Sequence, residues 1–76
     1  MKIRKEILGF TEEMEKILRK HDADKLDSWK SLSHKELQNL LHLEVEESDE
    51  ENAKLVEWID IANICMMIWW NTTHKK

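Results

Sequence analysis

The stretch Leu43–Asp60, LEVEESDEENAKLVEWID, decides how this chain folds. It leaves one segment of helical apolar spacing, crosses a run of acids and small polar residues, and enters a second such segment. That is the pattern of two helices joined by a reversal. The stretch carries eight of the chain's sixteen acidic residues. Some belong to a solvated turn. The flanking helices decide whether others face inward.

Upstream, SHKE at Ser33–Glu36 has the spacing of a capping box, in which a serine hydroxyl meets the third helical amide and the glutamate reaches back. A helix over 33–47 follows. Downstream, a third helix covers about 49–71 and starts between Ser48 and Asn52. SDEE at Ser48–Glu51 is itself a capping-box spacing, which favours the early start. A reversal centred on Asn52 would instead bring Glu44 level with Asp60. Both geometries are open from sequence. Nearer the N-terminus, Thr11 is a candidate cap for a first helix over 11–20, with Glu12 and Glu13 in its first turn. Phe10, Met14, Ile17 and Leu18 would form its apolar stripe. Residues 1–10 read as a separate N-terminal segment. His21–Leu32 reads as a polar connection anchored by Leu26 and Trp29. The tail NTTHKK is polar, with Lys75 and Lys76 suited to a helix C-terminus.

Composition supports this outline. The 76 residues include no Pro and a single Gly, and 37% are charged. Little is available for hairpin turns, and Lys, Glu and Leu favour helices. The expected fold is an all-α antiparallel bundle of about three helices, one domain over 1–76. So short a chain buries a thin core, so oligomerisation would complete it. A net charge of −4 with no basic stripe argues against nucleic acid as a partner. The most apolar run, Ile61–Trp70, falls short of the ~20 residues that span a bilayer, so no membrane partner is expected. MKIRKEILGF lacks the apolar region of a signal peptide. One cysteine, Cys65, cannot form an intrachain disulfide, which suits the cytoplasm.

On a wheel of about 100° per residue, Leu37, Leu40, Leu41, Leu43 and Val45 define the apolar face of helix two. Glu44 sits near the centre of that face, Glu47 on its edge, and Glu46 points away. Helix three has no Lys or Arg between Leu55 and Trp70, and its apolar residues go all round, as in a buried helix. Its polar exceptions, Glu57, Asp60 and Asn63, form one stripe at i, i+3 and i+6. Ionised carboxylates in apolar surroundings need a partner or a cation. Glu44, Glu47, Glu57 and Asp60 offer the oxygen ligands that Mg²⁺ takes. The plainer reading makes the stripe a narrow solvated strip, because acidic pairs at i, i+3 are common on exposed helices.

LEVEE at Leu43–Glu47 followed by EWIDIANICMMI at Glu57–Ile68 resembles the all-α nucleoside triphosphate pyrophosphohydrolases. These are the MazG-like enzymes, with the dimeric dUTPases as relatives. FTEEMEKILRKHDADKLDSW, Phe10–Trp29, is similar to small phage and bacterial members. The resemblance implies cleavage of a nucleoside triphosphate between its α and β phosphates. It implies Mg²⁺, with Mn²⁺ as a substitute, held by Glu44, Glu47, Glu57 and Asp60. Glu47 is the preferred proton acceptor. Asn63, Lys25 and Trp29 are the candidate substrate contacts. Asn63 serves equally well as an interhelical core amide, and Trp29 as a packing anchor. Trp58, Trp69, Trp70, Met66, Met67 and Cys65 read as packing residues.

The family's E-E-x-x-E has Leu43 in place of its first Glu, and only nine residues separate Glu47 from Glu57. Many members continue into a fourth, basic helix, so a partner subunit of a homodimer or homotetramer would supply those charges. His21, His34, His42 and His74 show no ligand spacing. The rival expectation is a non-catalytic oligomerisation module, or a relative that binds nucleotides without turning them over.

Overall fold

The computed structural model describes residues 1–22, 28–48 and 55–74. Its elements are all helical: α1 at Lys5–Asp22, a short 3₁₀ turn at Ser28–Ser31, α2 at His34–Ser48 and α3 at Leu55–Thr73. Both α1 and α2 pack on α3 and, among the described residues, not on each other. Each runs antiparallel to α3. The end of α1 approaches the start of α3, where His21 acts on Asp60. The start of α2 lies by the end of α3, where Asn71 reaches the carbonyls of Trp29 and Leu32.

Helix one begins six residues before the expected Thr11, so the supposed separate segment is mostly its first turns. The carbonyl of Arg4 accepts from the amides of Ile7 and Leu8 at 3.1 and 3.0 Å and opens the helix. Thr11 is internal, and its hydroxyl donates back to Leu8 O at 2.8 Å instead of capping. One glycine costs a helix only about 1 kcal/mol, too little to break a run of Lys, Glu, Ile and Leu. Of the expected stripe, Met14, Ile17 and Leu18 are half-buried but Phe10 is exposed.

Helix two starts as its sequence specifies. The Glu36 amide donates to Ser33 Oγ at 3.1 Å, and the Ser33 amide donates to Glu36 Oε1 at 3.2 Å. This satisfies two helix-end donors reciprocally. Its inner face is narrower than the wheel suggests. Leu37 is fully buried, and Leu41 and Glu44 are half-buried at i+4 and i+7, whereas Leu40, Leu43 and Val45 are exposed. The stripe covers one side only because α3 is the single helix in contact with α2 among the described residues.

The core is correspondingly small. Leu37, Ile59 and Ile64 are its buried apolar residues among those described. Helix three is not buried all round: Leu55, Val56, Trp58, Cys65 and Trp69 are exposed, so Cys65 is no core residue. The reversal and the SDEE cap lie outside the described residues, as do Leu26, Lys75 and Lys76. The register is nonetheless visible. Asn71 beside Leu32 sets Glu44 near the level of Asp60 along the α2–α3 pair.

Gly9 lies within α1 with open space where a Cβ would project. Gly9→Ala is therefore expected to raise stability by about 0.5–1 kcal/mol, seen as a higher midpoint in thermal or urea unfolding.

Candidate functional site

The antiparallel arrangement brings three helix ends together: the C-termini of α1 and α2 and the N-terminus of α3. Glu44 and Glu47 arrive from α2, Glu57 and Asp60 from α3, and His21 from α1. Glu44 follows Leu37 and Leu41 down the inner face of α2, so its side chain is half-buried. Burial pushes its carboxyl above the ordinary range, and the charges of Glu47, Asp60 and Glu57 add to the shift. Burial also raises Asp60, with His21 opposing and Glu57 adding. The four carboxylates expected to act together thus lie within electrostatic range across two helices.

Two buried oxygens on the same α3 stripe have no hydrogen-bond donor among the described residues: Glu57 Oε2 and Asn63 Oδ1. An unpaired buried acceptor is costly, and more so on a carboxylate. The α1 ion pairs, Lys16–Glu13 at 3.1 Å and Arg19–Glu15 at 3.0 Å, engage other carboxylates. In kind, the donor set fits a hard divalent cation, with all-oxygen ligands from two helices and an orphaned carboxylate oxygen among them. It is not a ready-made cage. Among the described residues, no three His, Cys, Asp or Glu side chains converge closely enough to hold a metal ion.

The remaining candidates fall elsewhere. Asn63 is 3% exposed, and its Nδ2 donates to Met14 O at 3.3 Å. It ties α3 to α1, which is the core-amide role. Trp29 lies on the 3₁₀ turn, and its carbonyl accepts from Asn71 Nδ2 at 3.2 Å. Asn71 is eleven residues beyond Asp60, about 16 Å along α3. Trp29 is therefore an anchor at the far end of the hairpin and is not gathered with the carboxylates. Lys25 lies outside the described residues. His21 gave no sequence signal, since its role depends on how α1 lies against α3 and not on spacing from another ligand.

The far end holds a second, different feature. An open cavity of about 690 Å³ is lined by Lys30, His34, Trp70, Asn71 and His74 among others. The His74 ring stacks on Trp70 at 3.7 Å, and Lys30 Nζ sits 5.6 and 5.5 Å from the Trp29 and Trp70 ring centres. These contacts occupy the aromatic faces with the chain's own basic groups.

Comparison of the chain with protein-family models, with curated proteins and with solved structures found no match. No helix among the described residues is long and apolar enough to cross a membrane.

The raised carboxyls make a signed prediction. Folded Glu44 and Asp60 hold their protons more tightly than in the unfolded chain, so their contribution favours folding at low pH. It falls away as pH rises from the unfolded values through the folded ones. Glu44→Gln or Asp60→Asn removes that loss. Each is expected to raise the Tm at about pH 7 in EDTA and to flatten the decline as pH rises above the ordinary carboxylate range. A thermal-melt series checks this. An unchanged pH profile in both variants would contradict the shared electrostatic site.

Proposed function

We propose that this protein is a Mg²⁺-dependent nucleoside triphosphate pyrophosphohydrolase of the cytoplasm, working as a homodimer or homotetramer in nucleotide housecleaning. One observation carries the proposal: a repelling carboxylate group from α2 and α3 includes a buried Glu57 oxygen with no donor. A divalent cation relieves both costs at once, and a triphosphate is the substrate class that arrives with such a cation. The motif resemblance at Leu43–Glu47 and Glu57–Ile68 supplies the reaction.

Glu44, Glu57 and Asp60, with Glu47 beside them, would have to draw together to hold the cation, and Mn²⁺ offers the same oxygen-seeking chemistry. When bound, the ion offsets triphosphate charge and lowers the pKa of water. The chain's own part is to position and to move a proton. Water adds to the α-phosphorus, the bond to the α–β bridging oxygen breaks, and pyrophosphate leaves. Glu47 is exposed and takes the proton of that water. Asn63 fixes α3 on α1, and so sets where Glu57 and Asp60 stand. His21 would counter the negative charge near Asp60 and limit self-repulsion of the four carboxylates.

A second reading has its own support. The small apolar core and the exposed apolar side of α3 suit a non-catalytic oligomerisation module. Leu43 in the place of a family acid suits a nucleotide binder without turnover.

Pyrophosphate release from ribo- and deoxyribonucleoside triphosphates separates these readings. The enzyme is expected to release pyrophosphate and monophosphate with Mg²⁺ or Mn²⁺, to stop in EDTA, and to lose at least about 100-fold in Asp60→Ala. Silence with every nucleotide, and no Mg²⁺-dependent thermal shift, would leave the oligomerisation module.

A further inference from the structure

The exposed side of α3 has a period of its own. Leu55, Trp58, Ala62, Cys65, Trp69 and Thr72 recur at steps of 3, 4, 3, 4 and 3. That is the a/d spacing of a helix that pairs with another helix. Leu55 is 73% exposed, Trp58 50% and Trp69 57%, and Cys65 and Thr72 are exposed as well. Half-buried Ile61, Met66 and Ile68 flank the row, and Ala62 within it is half-buried as well. The charged residues of α3, Glu57 and Asp60, lie on the opposite side with buried Ile59, Asn63 and Ile64. The helix therefore has a core face and a second, uncharged, heptad-spaced face.

We infer that this face pairs with the same face of a second copy, antiparallel, with Trp58 opposite Trp69 and Ala62 opposite Cys65. The row is self-complementary under that reversal. Leu55 meets Thr72, each Trp meets a Trp, and the two small residues meet at the centre, where the backbones approach. A two-fold interface has this reciprocity, in which residue i contacts j and j contacts i. Charge fixes the direction. A parallel pair would bring two acidic ends together, whereas the antiparallel pair keeps Glu44, Glu57 and Asp60 of the two copies at opposite ends. Chemically, the partner is a second copy of this chain, and the inference stands whether or not the carboxylates bind a cation.

Sedimentation over a concentration series tests it first, with helicity checked by circular dichroism. The wild type is expected to pass from monomer to dimer with rising concentration. Trp58→Lys and Trp69→Glu should each weaken the dimer by about tenfold or more. The double variant should recover it, because the introduced lysine of each copy then faces the introduced glutamate of the other only in the antiparallel register. Disulfide trapping keeps the test open if the tryptophan variants misfold. Mixed with wild type under oxidised glutathione, an Ala62→Cys, Cys65→Ala chain should give a cross-linked heterodimer faster than either chain cross-links alone. A chain that stays monomeric at every concentration overturns the inference. So do single variants that leave dimerisation unchanged, or faster cross-linking of wild-type Cys65 to itself.

Discussion

Two asparagine amides hold α3 in register with its neighbours. Asn63 donates to a carbonyl of α1, and Asn71 donates to two carbonyls that precede α2. With so few buried apolar side chains among the described residues, nonpolar packing does little to resist sliding of one helix along another. A buried amide does resist it, since a slip of one residue leaves its donor unpaired at low dielectric. The electrostatic proximity of Glu44 to Glu57 and Asp60 follows from that register. So does the arrival of His21 beside Asp60.

The two ends of the hairpin then differ in kind. One gathers carboxylates, where burial and mutual repulsion raise Glu44 and Asp60. The other gathers Lys30, His34 and His74 around Trp70. A helical hairpin stable in water has no need of the first arrangement, because acids disperse readily to solvated faces. Burial of Glu44 and Asp60 beside an orphaned Glu57 oxygen is the unfavourable feature that the proposed cation would relieve. The same α3 that carries these acids inward presents an uncharged row outward, so one helix faces the core, the carboxylates and solvent in turn.

Legibility from sequence follows the range of each interaction. The capping box of α2 was readable because Ser33 and Glu36 satisfy each other within one turn. Glu44 was readable as an inward acid because Leu37 and Leu41 share its stripe. The start of α1 was misplaced, because a Thr–Glu–Glu pattern fits a cap and an internal turn alike, and Gly9 is a weaker break than it looks. Leu40, Leu43, Val45 and Cys65 were expected inside and lie outside. A wheel shows which residues share a face but not how many neighbours cover it.

The sequence by itself determined the all-α class, the site of the α2 cap and the inward position of Glu44. These rest on local hydrogen bonds and on the 3.6-residue period, which operate within a helix. Only the tertiary structure decided that α3 is the shared neighbour of α1 and α2, that His21 attends Asp60, and that Asn63 bonds to α1. It also placed Trp29 beside Asn71, at the other end of α3 from the acids. Those facts depend on contacts between residues 39 to 49 positions apart, and no local period encodes such a separation.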